Sequence, residues 1–481
     1  MSLKHKHKEL PLQTQCNNLF FEFQTHNRKK VISNFDGGHI TSDGGAILLR
    51  ELEQKKNILK RFADCFTDYR KQDAIEHSVQ ELISQRVYGI ILGYEDLNDH
   101  DELRRDVLLS LLSGKKDPTG QDRRLKRDKG CALAGKSTLN RLELTSEEAS
   151  SSERYKKISY HKGAIERLLV DVFLESYKTP PEEIVLDCDA TDDPLHGKQE
   201  GRFFHGYYSC YCYLPLYIFC GEHLLSALLR SSNRDASEGV IDELARIVFQ
   251  IKERWPDVRI IVRGDSGFCR EEIMKWCEDN GIDYVFGLAK NKRLQSKIIK
   301  QLEHARRRYL RGGEASRSFR NFYYRTLKSW TKKRRVVGKA EYLPKGENPR
   351  FVVTSLSKER VSTRELYEKI YCARGDMENR IKEQQLDLFA DRTSTALMHS
   401  NQLRLFFSSI AYVIYAAFRR LVLKGTEWAK YQCNTIREKL FKIGALVKIS
   451  FRRILIQFAE GYPYKDIFER AHRNLFVPQL C

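Results

Sequence analysis

Four carboxylates follow a buried-strand pattern near the middle of the chain. Residues 184–186 are Ile, Val and Leu, and they predict a strand that is buried on both faces. Acids follow at Asp187, Asp189, Asp192 and Asp193. Because an unpaired carboxylate is costly to bury, this strand end indicates either a metal site or a turn at the solvent edge. The stretch alone leaves both interpretations open.

A second acid lies in a similar position later in the chain. Asp265 follows the predicted short strand 258–262, which is apolar except for Arg259, and lies inside the sequence RGDSG. Ligand sites in α/β sheets lie at the carboxyl ends of parallel strands, and Asp189 and Asp265 both have such positions. Gly264 and Gly267 leave room for the close approach of a backbone or a phosphate. We therefore expect the two acids to belong to one site.

The third candidate acid, Glu378, lies in a predicted helix over residues 362–388. The residues spaced three or four positions apart on its face are Tyr371, Arg374, Glu378, Lys382 and Gln385. An acid among phosphate-binding donors suits a face that meets a metal and nucleic acid. The alternative is an ordinary ion pair between Arg374 and Glu378.

Three carboxylates of this kind suit two-metal phosphodiester chemistry. Two divalent cations about 3.5–4 Å apart stabilise the attacking and the leaving oxygen of an in-line displacement. Hard oxygen ligands favour Mg²⁺ or Mn²⁺, and we expect two such ions. One carboxylate would bridge the ions and the others would each hold one. No nucleophilic side chain is needed, because water or a 3′-hydroxyl attacks.

The elements that position the first two acids have the order of a mixed sheet. The predicted strands cover residues 184–189, 207–219, 223–229, 258–262 and 283–288, with helices over 237–254 and 271–280. The first three strands can form a meander, whereas the later ones require crossover connections and parallel pairing. This order matches the RNase H-like sheet.

The charge of the chain indicates its partner. The formal net charge is +20, which favours a polyanion, and nucleic acid is the commonest polyanion. Residues 290–350 contain 20 Lys and Arg but only 4 Asp and Glu, so most of the excess lies there. The 12 cysteines form no CxxC pair, and the N-terminus has no apolar signal core. We expect free thiols and an intracellular protein.

Several motifs together resemble one family. They are LDCDATDDPLHGKQEGRFFHGYY, IIVRGDSGF, YCARGDMENRIKE, QRVYGIILGYEDLNDHDELRRD and LAGKSTLNRLE. With them the chain resembles a DDE transposase of a bacterial insertion sequence, closest to the family numbered thirteen-eighty, over about residues 35–420. The resemblance implies an RNase H-like core with a metal-binding triad of Asp189, Asp265 and Glu378. Asp187 is the alternative first acid, since strand pleating puts it on the same face as Asp189.

Related transposases carry a Tyr, Arg, Glu and Lys signature. Tyr371, Arg374 and Glu378 match it, but Gln385 stands where the lysine is expected, and Lys382 is the candidate replacement. The resemblance also allows a mainly β insertion between the second and third acids. The basic segment 290–350 lies in that interval.

The basic segment supplies further candidate DNA contacts. Trp330 is a candidate to stack on a flipped base, and the alternative is ordinary packing. The candidate phosphate contacts are Lys332, Lys333, Arg334 and Arg335.

The expected fold class is α/β, with an RNase H-like mixed-sheet catalytic core, an inserted mainly β subdomain, and helical N- and C-terminal regions. The expected segments are a flexible basic arm over 1–30, a helical DNA-binding or dimerisation region over 31–165, the first part of the core over 166–289, the insertion over 290–350, the second part of the core over 351–420, and a basic helical region over 421–481.

The expected function is that of a DNA transposase. It would bind terminal inverted repeats in double-stranded DNA, cleave the transposon ends and join them to target DNA. Because two ends must be brought together, we expect at least a dimer in the synaptic complex. The expected location is the bacterial cytoplasm, in association with the nucleoid. The alternatives are another RNase H-like nuclease and a catalytically inactive DNA-binding protein.

Overall fold

The computed structural model describes residues 20–476. One large mixed sheet lies in the middle of the chain, with a mainly helical region before it and a mixture of helices and strands after it. Within the described residues, no helix is long and apolar enough to cross a membrane. The fold is mixed α/β, as the sequence predicts.

The region before the central sheet is mainly helical. Its strands are β1 (Phe21–His26), β2 (Lys29–Ser33), β3 (His39–Thr41), β4 (Phe66–Asp68) and β5 (Ile158–Tyr160). Its helices are α1 (Ile47–Lys56), α2 (Ile58–Ala63), α3 (Val79–Ile91), α4 (His100–Leu103), α5 (Val107–Leu112), α6 (Lys136–Glu143) and α7 (Lys162–Leu174). β1 and β2 form an exposed hairpin where the sequence predicts the end of a flexible arm and the start of a helical region. Residues 1–19 of that arm lie outside the described residues.

Strand β6 (Glu183–Ala190) carries the first candidate acids. The elements that follow it are β7 (Asp193–Pro194), β8 (Phe203–His205), β9 (Cys210–Tyr213), β10 (Leu216–Cys220), β11 (His223–Leu228), α8 (Val240–Arg254), β12 (Arg259–Gly264), α9 (Glu271–Asp279) and β13 (Asp283–Leu288). β6, β10 and β11 form an antiparallel meander, whereas β12 runs parallel to both β6 and β13. The predicted meander followed by parallel strands is therefore confirmed.

The predicted strand over residues 207–219 is broken into two. Pro215 separates β9 from β10. Proline has no N–H to donate to a ladder, so a central strand cannot continue through it. β9 pairs instead with β7 and β8 in a small separate sheet.

The two faces of β6 meet different layers because strand side chains alternate. Ile184, Leu186 and Cys188 pack into a core with apolar side chains of α7, α8 and α9. Val185 contacts a smaller core on the opposite face, which contains Leu366 and Tyr367 from a later helical segment. The alternation puts Asp187 and Asp189 on the same face as that helical segment.

Residues 290–350 do not form a separate β subdomain. They form α10 (Lys292–Lys297), α11 (Ile299–Gly312), β14 (Ser316–Tyr324), β15 (Arg334–Leu343) and β16 (Gly346–Glu347), and β17 (Arg350–Thr354) follows them. In the part of the chain that the structure describes, these strands extend the central sheet to nine, in the order β11-β10-β6-β12-β13-β17-β15-β14, with β16 beside β15. Buried Leu294, Ile298 and Val336 join the core behind β6, so the segment folds onto the sheet despite its charge.

A continuous helical segment over residues 363–387 carries the third candidate acid, as predicted, but it is irregular. It begins at Ser362, whose hydroxyl accepts a hydrogen bond from the Glu365 N–H at 3.3 Å. It then contains α12 (Thr363–Glu365), a π turn (Leu366–Tyr371), a 3₁₀ turn (Cys372–Arg374), α13 (Gly375–Lys382) and a second π turn (Glu383–Asp387). Such π turns are frequent at functional sites.

The end of the chain is not wholly helical. α14 (Met398–Leu421) is a long buried helix, and it is followed by α15 (Cys433–Ile436), β18 (Ala445–Ile449), β19 (Ile454–Phe458) and α16 (Lys465–Phe476). β18 pairs with β19 and also with β3. The predicted helical region over 421–481 therefore contains a β-hairpin that joins the N-terminal part of the chain, and its residues 477–481 lie outside the described residues.

Candidate active site

Asp189 lies at the end of β6, one residue before its last residue. Its Oδ1 accepts a hydrogen bond from the Ala190 N–H at 3.0 Å. Burial raises the pKa of the Asp189 carboxyl to about 6; Asp265 and Glu378 also raise it, whereas Arg374 lowers it. Three acids and one cation thus act on each other at this strand end.

Asp265 directly follows β12, and its side chain caps the turn that comes next. Its Oδ1 accepts from the Gly267 N–H at 2.8 Å. A Cβ added at Gly267 would lie 3.0 Å from that same oxygen, and one added at Gly264 would lie 3.0 Å from the Phe268 Cβ. The two glycines of the RGDSG sequence therefore let the turn close around the carboxylate.

Arg374 joins the first acid to the third. Its Nη1 donates to Asp189 Oδ2 at 3.0 Å, and its Nη2 donates to Glu378 Oε1. The helical segment and β6 are therefore connected through one guanidinium. The ordinary Arg374–Glu378 ion pair is present, but it is shared with the strand.

Asp189, Asp265 and Glu378 all line one open cleft of about 630 Å³. Lys382 and Gln385 line it too. The Lys382 side chain is exposed, whereas Gln385 donates to the Asp192 carbonyl at 3.0 Å. The residue at the expected lysine position is thus hydrogen-bonded to the loop after β6, whereas Lys382 adds an exposed cation to the cleft besides Arg374.

Tyr371 lies at the back of this site, against β13. A Cβ added at Gly287 would lie 2.6 Å from the Tyr371 hydroxyl and 3.2 Å from the Asp265 carbonyl carbon. Burial raises the pKa of Tyr371. Gly287 is therefore a residue that our sequence analysis missed, although a glycine inside an apolar strand is a signal of close backbone approach.

Asp187, the alternative first acid, has a different role from Asp189. It is buried, and Arg263 donates to both of its oxygens, with Nη2 at 2.7 Å from Oδ2. Arg263 also donates to the Ile370 carbonyl in the helical segment. Burial raises the pKa of Asp187, and the Arg263 guanidinium opposes that rise. The pair fixes β6 and β12 to the helical segment, and Asp187 is absent from the cleft lining.

The carboxylate oxygens that line the cleft are of the type that binds a divalent cation. Within residues 20–476, no group of three or more His, Cys, Asp or Glu is arranged to hold a metal ion. The Arg374 guanidinium lies between Asp189 and Glu378 and neutralises part of their charge. Carboxylate oxygens suit Mg²⁺ or Mn²⁺, and a carboxyl whose pKa is raised to about 6 by burial and neighbouring acids would be stabilised by a cation.

Comparison with known proteins decides the family. The family model for transposase DDE domain group 1 matches residues 23–478, nearly the whole chain. The chain belongs to this family. A search of solved structures finds a piggyBac transposase synaptic complex with hairpin DNA at 13% sequence identity and a TM-score of 0.39, covering 92% of this chain and 83% of that chain. A search of curated proteins finds no match.

In this transposase the ring of Trp330 is not exposed for stacking on a DNA base. Trp330 is buried, with 6% of its surface exposed, and its ring packs edge-on against Tyr324 at 5.8 Å between centroids. Its backbone N–H donates to the Thr326 hydroxyl at 2.8 Å. The structure contradicts the interpretation as a base-stacking residue and agrees with ordinary packing.

The basic run after Trp330 is likewise only partly available to DNA. Arg334 is buried and pairs with Glu271 at 2.6 Å and Glu278 at 2.9 Å. Arg335 is buried and donates to the Leu356 and Ser357 carbonyls, each at 2.8 Å. Each guanidinium makes four hydrogen bonds within the fold, out of five N–H donors, so the prediction of both arginines as phosphate contacts is corrected.

The two lysines of the run keep exposed side chains. Lys332 also pairs with Glu278, at 3.0 Å, and Lys333 lies at the surface.

Proposed function

We propose that this transposase cleaves DNA at the ends of its own element, and joins those ends to target DNA, at the cleft lined by Asp189, Asp265 and Glu378. The observation that carries the proposal is the meeting of three acids from two strand ends and one helical segment in a single cleft. The strand order β11-β10-β6-β12-β13 supports an RNase H-like core beneath it.

In this proposal the three carboxylates hold two Mg²⁺ or Mn²⁺ ions, which would supply charge stabilisation for the attacking and leaving oxygens. Arg374 orients Asp189 and Glu378 and neutralises part of their charge. Lys382 faces the open cleft and would contact a phosphate as a point charge. Tyr371 supports Asp265 from behind and fixes the packing of the helical segment on β13.

The motifs support a narrower assignment. We propose a bacterial insertion-sequence transposase of the family numbered thirteen-eighty, which binds terminal inverted repeats in double-stranded DNA. Two ends must be held together during transfer, so the proposed active complex contains at least two copies of the chain.

Within residues 290–350, we assign the proposed phosphate-binding surface to α10 and α11 instead of to residues 332–335. The exposed cations there are Lys292, Arg293, Lys297, Lys300, Arg306, Arg307, Arg308 and Arg311. Within the part of the chain that the structure describes, none of these side chains has a carboxylate within 4.0 Å. Unpaired cations on a helix surface can neutralise phosphates and release counterions.

The test uses the full-length protein and labelled duplexes that carry the terminal inverted repeats of its element. With Mg²⁺ we expect end cleavage and joining, both lost in Asp265→Asn. Asp257→Asn removes one exposed acid before the same strand and should leave both reactions intact. Full cleavage by Asp265→Asn would contradict the site assignment. Cleavage without joining would indicate that the protein is another kind of nuclease. DNA binding without cleavage would indicate an inactive DNA-binding protein.

A further inference from the structure

A second cleft, of about 970 Å³, opens in the helical region before the central sheet. Its walls come from residues 69–77, 101–104, 123–128, 135–141 and 151–158. It has no lining residue in common with the carboxylate cleft. Chemistry at the acids therefore does not account for it.

Positive charge dominates the second cleft. Its basic lining residues are Arg70, Lys71, Arg104, Arg123, Arg124, Arg127, Arg141, Arg154 and Lys157, against the acids Glu76, Asp101 and Asp128. Nine cations against three acids are more than one bound phosphate group requires. The composition instead suits a polymer with repeated negative charges.

The three acids of the cleft are already engaged. Glu76 pairs with Arg123 at 2.8 Å, Asp128 pairs with Arg104 at 3.2 Å, and Asp101 pairs with Lys136 at 3.4 Å. Within residues 20–476, no carboxylate lies within 4.0 Å of Lys71, Arg141, Arg154 or Lys157. Four cations of this wall are therefore without a neutralising partner.

Two of these cations are arranged around an aromatic ring. The guanidinium groups of Arg141 and Arg154 each lie 4.8 Å from the centre of the Tyr155 ring, which is 51% exposed. Lys157 lines the same cleft, and its ammonium donates to the Ser151 carbonyl at 2.6 Å. Like charges held together in this way are favoured when an anion binds between them. Arginine and aromatic side chains side by side are typical of nucleic-acid surfaces.

A buried histidine, His77, lines the cleft among its cations. The imidazole of His77 is buried and lies 2.6 Å from Arg123 Nη1. Burial, followed by the charges of Lys115, Arg123, Arg70 and Arg104, lowers the pKa of His77 to about 2. The histidine therefore stays neutral and adds no charge of its own, while the cations around it attract an anion.

We propose that the second cleft binds the phosphodiester backbone of duplex DNA away from the cut site, with Arg141, Arg154 and Lys157 as its phosphate contacts. This proposal rests on the proposed function, because DNA is the polyanion that a transposase must hold. Backbone contacts position a protein without reading sequence. The cleft should therefore hold transposon-end DNA and unrelated DNA equally well.

The test measures dissociation constants of the full-length protein over a range of salt concentrations, with an end-containing duplex and an unrelated duplex. The variant combines Arg141→Ala, Arg154→Ala and Lys157→Ala. Each lost phosphate contact lowers the slope of log affinity against log salt by about 0.9, so the slope should fall by up to about 2.7 on both duplexes. Cleavage at saturating DNA should persist, because the three side chains do not line the carboxylate cleft.

The matched control combines Lys56→Ala, Lys60→Ala and Lys178→Ala, which removes three exposed positive charges outside the cleft. A second pair on one loop compares Arg154→Glu, inside the cleft, with Lys156→Glu, outside it. Thermal unfolding of every variant shows whether it is folded. The cleft variants should weaken binding and the controls should not.

The outcomes separate this proposal from the proposed function. If the parent cleaves transposon ends and the triple cleft variant keeps the control's affinity and salt slope, the cleft proposal is wrong and the proposed function stands. If only the end-containing duplex is affected, the cleft reads sequence, and backbone binding is wrong. If the parent binds neither duplex, both proposals fail.

Discussion

Arg374 Nη1 donates to Asp189 Oδ2 across 3.0 Å, and so connects a helical segment to a strand end that is 185 residues away in the chain. The same guanidinium contacts Glu378. Two of the three carboxylates of the cleft therefore share a cation that belongs to the chain itself. Removing this cation should raise the pKa of Asp189, and we expect this effect to be larger than any effect on the fold.

We predict that Arg374→Ala shifts the pH dependence of DNA cleavage to higher pH. Arg374 lowers the pKa of Asp189, which burial raises to about 6, so its loss should raise that pKa further. Loss of one charged donor at a reacting centre should also reduce the rate by about 10²-fold. Arg374→Lys keeps the charge and should shift the profile less. A pH profile unchanged in Arg374→Ala would contradict the electrostatic role.

The buried pair of Asp187 and Arg263 should contribute to stability rather than to metal binding. We predict that Asp187→Ala lowers the free energy of unfolding by about 3–5 kcal/mol, because it leaves the Arg263 guanidinium buried without its partner. The double variant Asp187→Ala/Arg263→Ala should lose less than the sum of the two single losses. Urea unfolding of the four proteins measures this coupling, and additive losses would show that the pair is not coupled.

Glu53 should make stability depend on pH. Its carboxylate accepts from the Leu59 N–H at 2.9 Å and the Lys60 N–H at 3.2 Å, at the start of α2. Burial raises its pKa to about 7, although these backbone contacts lower it. A carboxyl whose pKa is raised by folding binds its proton more tightly in the native state, so its contribution to stability is greatest below about pH 4.5 and is lost as the pH rises to 7.

We therefore predict that Glu53→Gln is more stable than the parent at pH 8, by up to about 3 kcal/mol, and of similar stability at pH 4. The glutamine oxygen can still accept from the two N–H groups. Denaturant unfolding at the two pH values measures the difference. Glu51→Gln removes a charge from the same helix and is the control. A difference that is equal at both pH values would refute the burial argument.

The strands that carry the acids could be predicted from the sequence because their signals are local. The apolar stretches 184–186 and 260–262 end three residues before Asp189 and Asp265, and parallel pairing brings their ends together. The choice between Asp187 and Asp189 could not be predicted in the same way. Both lie on one face of β6, and contacts with distant residues distinguish them: Asp187 binds Arg263, whereas Asp189 binds Arg374 and lines the cleft.

The basic segment shows a second limit of sequence reasoning. Composition counts charges, but it does not show which of them meet acids from other parts of the chain. Arg334 is paired with Glu271 and Glu278, which both lie on helix α9, and Trp330 is buried beside Tyr324. The two ion pairs of Arg334 join residues 56 and 63 positions apart, so no local sequence pattern predicts them.

The salt dependence of DNA binding should distinguish the exposed cations of α11 from the buried Arg334. We predict that combining Arg307→Ala, Arg308→Ala and Arg311→Ala lowers the slope of log affinity against log salt by up to about 2.7, because each phosphate contact contributes about 0.9. The fold should be retained, since these side chains are exposed and no carboxylate of the described residues pairs with them.

Arg334→Ala should lower the stability of the protein and leave the salt slope of DNA binding unchanged. It removes one arginine but leaves Glu271 and Glu278 without their main partner inside the fold, so it should lower the free energy of unfolding by about 3 kcal/mol or more. The salt slope of the folded fraction should stay that of the parent, because a guanidinium that is already bound to two carboxylates releases no counterion from DNA. Binding titrations and urea unfolding on the same preparations measure both quantities. A reduced salt slope in Arg334→Ala, with unchanged stability, would restore Arg334 as a phosphate contact and remove the basis for moving the DNA surface to α11.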